Sequence, residues 1–245
     1  MAYLAELVAQ GTIGRLREIV FLVRSSISPV VPWSWFLVQE RGGGMLNNHF
    51  VHLLAILERV VGGPLIHVAG RANFGIDRAP VVPGIHDFRD WMAKIATLTP
   101  EVLEAAEWRA CDADTSYSAL MRFAGPTGEV PVTLVSGPGV PSKEAVGMRL
   151  IGERGALVAR GEVAFRVSSL EGESAEETAL PVPKRLTDAL PQAGGYCEDR
   201  WAALAREFTA DIRGEPHAPY LTFRDGARYQ VAIEAIRSGR DRSQG

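Results

Sequence analysis

The sequence is short of most features that would assign it quickly. Only two of its 245 residues are cysteine, Cys111 and Cys197, in no metal-ligand spacing. That excludes a disulfide framework and a thiolate metal site, and leaves room for at most a single bridge. Long hydrophobic runs are also missing. The longest apolar stretch, residues 19–38, is broken by Arg24, Pro29 and Pro32 and cannot cross a bilayer as one helix. Neither sign of charge dominates: 26 Lys and Arg against 29 Asp and Glu give a formal net charge of -3. Such a balance exerts no long-range pull on nucleic acid or anionic lipid. No Gly-x-Gly-x-x-Gly follows a strand, no P-loop is present, and no Gly-x-Ser-x-Gly offers a hydrolase elbow. The first residues carry no basic region, apolar run or small-residue cleavage site, so the cytoplasm is the expected compartment.

What is present is ordinary globular material. Hydrophobic residues make up 47% and charged residues 22%, enough for one large domain or two small ones. Leu4, Leu7 and Val8 recur at helical spacing before Gly11, which suits a helix over residues 2–10 that nothing earlier in the chain covers. Residues 17–26 alternate like a strand. A loop with Trp33, Trp35 and Phe36 leads to Gly42-Gly43-Gly44, and residues 45–61 are helical until Gly62-Gly63-Pro64 stops them. A strand over 65–74 and helices over 86–97 and 100–109 follow. Then come five short strand patterns over 115–123, 130–136, 145–151, 156–159 and 163–169. Turns such as Gly125-Pro126-Thr127-Gly128 make this part an expected antiparallel meander. Residues 171–195 read as a long polar loop, and helices over 198–213 and 226–238 close the chain. The order predicts an α+β fold: a largely antiparallel open β-sheet with helices packed on one face. The other face is left for dimerisation.

The glycine run before a helix is the sharpest feature. Gly43 and Gly44 would let a backbone come close to a ligand; the same run would also serve a tight turn into a buried helix. Asn48 and His52 stand at i and i+4 on that helix and share one face. His52 is the candidate acid or base, and Asn48 would orient it or bind a substrate hydroxyl. The alternative is a histidine that merely bonds a nearby carbonyl. His49 lies on the neighbouring stripe. Asn48, His49 and His52 with His86 and Asp87 lack a recognised metal-ligand spacing, so no metal site is expected. His49 and His86 are instead assigned to the substrate side, with Gly43, Gly44, Trp33 and Trp35. For the two tryptophans core packing is an equal alternative.

At Gly42-Gly43-Gly44-Met45-Leu46-Asn47-Asn48-His49-Phe50-Val51-His52 the sequence resembles the Gfo/Idh/MocA oxidoreductases, in which a glycine run precedes Asp or Asn and then His four residues on. Gln10-Gly11-Thr12-Ile13-Gly14, Asp114 to Phe123, Leu150 to Leu157 and Thr222 to Gly226 agree in order. The resemblance implies the family's C-terminal substrate-binding and oligomerisation domain. Residues 1–12 would be a remnant linker helix from a missing dinucleotide-binding domain, 13–239 the α+β domain and 240–245 a flexible tail. It implies catalytic roles for His52 and Asn48, with Asn48 where many members carry Asp. NAD(P) is implied for an intact enzyme, with none expected to bind this chain alone. The catalytic Glu-Lys-Pro of the family has no counterpart at Lys94, Lys143 or Lys184. The implied function concerns a sugar, cyclitol or similar polyol, inactive without a Rossmann domain in trans. A homo-oligomer through the sheet face is expected, with no nucleic-acid or membrane partner. Two alternatives stay open, a non-catalytic assembly module and a lyase or isomerase using His52.

Overall fold

The computed structural model describes residues 1–25, 28–138, 146–160, 164–169, 177–188, 190–191, 193–239 and 242–243. Among these described residues nine strands form one mixed sheet and two more a small ribbon. The strands are β1 (Leu16–Ser25), β2 (Leu65–Asn73), β3 (Arg78–Pro80), β4 (Trp108–Ala110), β5 (Ser116–Gly125), β6 (Gly128–Pro138), β7 (Val146–Gly152), β8 (Gly155–Arg160), β9 (Ala164–Ser169), β10 (Glu177–Leu180) and β11 (Arg242–Ser243). The helices are α1 (Ala2–Ala9), α2 (Val51–Val61), α3 (Phe88–Ile95), α4 (Pro100–Ala105), α5 (Lys184–Thr187), α6 (Tyr196–Ile212) and α7 (Phe223–Ser238). A single π-turn, Leu46–Phe50, runs directly into α2.

The sheet order is β10-β9-β8-β7-β1-β6-β5-β2-β11. The expected meander is interrupted. β5 and β6 form a hairpin closed at Gly125 and Gly128, while β7 to β10 form a second run. β1 inserts between them, antiparallel to β7 but parallel to β6, with Ile19 opposite Val132. This parallel pair makes the sheet mixed rather than purely antiparallel.

Strand alternation sorts the two faces. In β5, Tyr117, Ala119, Met121 and Phe123 point into the core while Ser118, Leu120 and Arg122 point out. Helices α1, α2 and α7 cover the inner face. Leu54, Leu57, Ala232 and Ile236 are fully buried against Val68, Phe123, Leu134 and Leu150, each large side chain contributing about 1.5–3 kcal/mol by leaving water. The outer face carries Leu22, 38% exposed, and Leu120, 61% exposed.

Helix α1 packs on α2, with its Leu4 and Leu7 in the main core. Within the predicted loop over 171–195, β10 pairs with β9 and α5 follows, while residues 171–176, 189 and 192 lie outside the described residues. In the tail expected to be flexible, Arg242 and Ser243 pair with Val68 and His67 of β2; residues 240, 241, 244 and 245 are outside the described set. A second, smaller core gathers Val31, Phe36, Leu37, Ala79 and Trp91 around the β3–β4 ribbon and α3. There the Trp91 indole N–H donates to the Pro32 carbonyl at 2.7 Å. Among the described residues no helix is long and apolar enough to cross a membrane.

Candidate active site

The glycine run is shaped from within. Gly42 takes a left-handed φ of +78° and Gly44 a φ of +99°, conformations that suit glycine alone. A Cβ on Gly43 would stand 2.5 Å from the Phe36 carbonyl oxygen, and one on Gly44 2.5 Å from Asp114 Oδ1. Both glycines are buried. The space that their missing side chains leave is filled by the protein, so the glycines serve close packing of the loop.

Asp114 is the anchor of this segment, and sequence reading gave it no role. Its carboxylate is fully buried, accepts the Leu46 N–H at 2.7 Å and takes Arg237 Nη2 at 3.2 Å. Its own carbonyl accepts the Met45 N–H at 2.9 Å. The first N–H groups of a helix lack partners within the helix and attract negative charge. A carboxylate already holds them here.

Asn47 and Asn48 finish the tie. The Asn47 amide donates to the Gly43 carbonyl at 3.0 Å; the Asn48 amide donates to Gly42 O at 3.1 Å and Gly44 O at 2.9 Å. Carbonyls only accept, so the Asn48 NH2 group is committed to the loop. Asn48 therefore fixes the glycine run in this structure and does not orient His52 through that group. The π-turn that follows is a rare element often found where function needs it.

The two histidines of the segment differ. His52, in the first turn of α2, is exposed. His49 faces inward. Its Nδ1 lies 3.1 Å from the Tyr117 hydroxyl and 3.4 Å from Ser136 Oγ. Tyr117 and Ser136 are buried cross-strand partners on β5 and β6. Burial, and secondarily the nearby His52, hold the His49 pKa below the usual imidazole value. Burial likewise pushes the Tyr117 phenol far above its ordinary value, so it stays protonated.

The other expected contacts are scattered. The Trp33 indole donates to the Ala110 carbonyl at 3.1 Å, and the guanidiniums of Arg41 and Arg109 lie 5.4 and 5.1 Å from its ring. Its body packs on the smaller core, so it serves that core and its cation contacts. Trp35 is 37% exposed, with its ring edge against Phe36. His86 is exposed just before α3 and its backbone N–H donates to Asp90; among the described residues no hydrogen bond or ion pair joins it to residues 42–52. Among the described residues no group of three or more His, Cys, Asp or Glu gathers as a metal site would require.

Comparison with known proteins supplies the context. The family model for the GFO/IDH/MocA C-terminal domain matches residues 1–158. An uncharacterized oxidoreductase of a Synechocystis species is 32% identical over 80 residues, which cover 32% of this chain and 21% of that protein. An oxidoreductase domain protein from Kribbella flavida shares the fold with a TM-score of 0.67 at 20% identity, over 97% of this chain and 60% of its own. The apo form of a levoglucosan dehydrogenase gives 0.69 at 17% identity, over 100% of this chain and 63% of its own. The transcriptional regulator Gal80p of Kluyveromyces lactis gives 0.62 at 12% identity, over 99% and 58%. The chain thus spans less than two thirds of the length of each of these proteins. With over half of its residues under the family model, the chain belongs to the GFO/IDH/MocA family, as a representative of its C-terminal domain.

Proposed function

We propose that this chain supplies the substrate-binding and oligomerisation domain of an NAD(P)-dependent oxidoreductase acting on a sugar, cyclitol or similar polyol. The carrying observation is the contrast at the start of α2. The glycine loop, Asn48 and Asp114 are locked to one another, yet His52 on the same helix is exposed and available. A rigid base on an open surface is what proton exchange with a bound hydroxyl needs. Neutral His52 would accept the proton of the reacting hydroxyl during oxidation and return it during reduction. The family membership and a neighbour described as a levoglucosan dehydrogenase bound to NADH and L-sorbose support the substrate class.

The residues of this chain do not fit a dinucleotide. The helix N–H groups that follow Gly42-Gly43-Gly44, where a phosphate would have to sit, are already held by Asp114. The nicotinamide supplies hydride transfer, and in this reading a domain beyond residues 13–239 holds it. Calorimetric titration of the purified chain tests the division. Saturable binding of levoglucosan, L-sorbose or myo-inositol with no binding of NADH or NADPH is expected; micromolar NADH binding would contradict it.

The outer sheet face, with Leu22 and Leu120 exposed, is the proposed seat of a second copy. Light scattering of the chain and of Leu120→Glu tests this: a dimer that dissociates in the variant is expected, and a monomeric parent contradicts it. A non-catalytic reading has one observation in its favour, the fold shared with a transcriptional regulator. It predicts that His52→Ala changes no ligand binding at all.

A further inference from the structure

Buried polar side chains are costly unless their protons find acceptors. Ser136, Tyr117 and the His49 ring form such a group under the start of α2. Nδ1 of His49 faces both hydroxyls. Two proton orders are available. If His49 carried its proton on Nδ1, that nitrogen could accept from neither hydroxyl, in a site where Tyr117 is 1% and Ser136 2% exposed. In the other order Nδ1 is bare and accepts from the hydroxyls that face it. The imidazole proton then sits on Nε2.

Nε2 has no partner among the described residues. It is not sealed either: the only buried side-chain nitrogen or oxygen without a partner there is Arg237 Nε. His49 therefore has one ring nitrogen held by the core and the other open to solvent. It stands three residues before His52, neighbours on a helical surface one turn apart.

We propose that His49 is a fixed, neutral hydrogen-bond donor whose Nε2–H binds an oxygen of the substrate beside the hydroxyl served by His52. This rests on the polyol reading above and deepens it. The two histidines divide the work: His52 exchanges the proton and His49 holds a hydroxyl or carbonyl oxygen without exchanging one. A neutral donor also discriminates. A ligand lacking that oxygen leaves the N–H unpaired in the complex, so the corresponding deoxy sugar binds more weakly.

Long-range nitrogen–proton correlation spectra of the chain labelled at histidine test this, with levoglucosan and myo-inositol as probes. The expected result has His49 as the neutral Nε2–H tautomer at pH 7, with that proton shifting on polyol addition. His49→Ala and His49→Asn should weaken polyol binding about tenfold, as loss of a roughly 1.4 kcal/mol contact does. His49→Gln, whose amide nitrogen falls near the Nε2 position, should restore most of it. Tyr117→Phe should leave the fold intact and mix the tautomers. An Nδ1–H tautomer, or a charged His49 at pH 7, overturns the inference. So does a polyol that shifts His52 and leaves His49 unmoved. If no polyol shifts either histidine, the polyol reading itself fails and the donor role falls with it.

Discussion

Replacing Gly44 by alanine probes why the segment before α2 is built from glycine. Two costs combine in the structure. A non-glycine residue at a φ of +99° carries about 1–2 kcal/mol of backbone strain. The new methyl would also stand 2.5 Å from Asp114 Oδ1. It must push aside a carboxylate held by Arg237 and the Leu46 N–H, an overpacking cost of about 1–3 kcal/mol. Together these give about 2–5 kcal/mol, or a fall in Tm of roughly 4–20 °C for a chain of this size. Gly42→Ala is the matched control. It shares a positive φ of +78°, but nothing lies within 4 Å of its Cβ, so only strain of about 1–2 kcal/mol applies. Thermal unfolding followed by circular dichroism reads both. A much larger loss for Gly44→Ala than for Gly42→Ala is expected. Equal losses, or a neutral Gly44→Ala, would refute the claim that Asp114 shapes this loop.

Other consequences follow from the same geometry. Asp114→Ala leaves the Arg237 guanidinium, 15% exposed, without its counter-charge and should cost about 3–5 kcal/mol in urea unfolding; a loss under 1 kcal/mol would contradict the anchoring role. The Cys111 thiol is pushed above its ordinary pKa by burial and then by Asp112 and Asp77, so little thiolate forms near neutrality. In a Cys197→Ser background, alkylation should be slower than for a free peptide thiol at pH 8, with a rate still climbing beyond pH 9. Asp225 caps α7 by accepting from the Thr222 backbone and side chain and from Arg228, which lowers its carboxyl to about 2. A depressed carboxyl stabilises the fold above its unfolded pKa of about 3.9. That contribution is lost as pH falls through 2. The Tm gap between the parent chain and Asp225→Asn should therefore be full at pH 6 and shrink as pH drops from 4 toward 2.

Most helices and strands were legible because their signals are local. Leu53, Leu54 and Leu57 with the stop at Gly62 mark α2, and the alternation of Tyr117 to Phe123 marks β5. What stayed hidden depends on distant partners. The insertion of β1 between β6 and β7 leaves no trace in its own ten residues. The three-residue strands β3 and β4 are too short for a period to show. The π-turn at 46–50 widens the helix by one residue without a composition of its own. At the site, spacing alone put Asn48 and His52 on one face and marked the glycines as unusual. It could not say that Asn48 faces the loop, since that depends on where Gly42 and Gly44 place their carbonyls. Nor could it turn His49 inward, because Tyr117 and Ser136 lie 68 and 87 residues away. Asp114 carried no local signal either; its partners Leu46 and Arg237 are 68 and 123 residues distant.

The most direct test of the account is to find where on the chain a polyol binds. Backbone amide shifts should be followed while levoglucosan is titrated into the labelled protein. Saturable changes concentrated between Gly42 and Ala55, and absent from His52→Ala at the same concentrations, are expected. Changes centred on α6 or the outer sheet face, or a response unaltered by His52→Ala, would contradict the assignment of substrate binding to the start of α2.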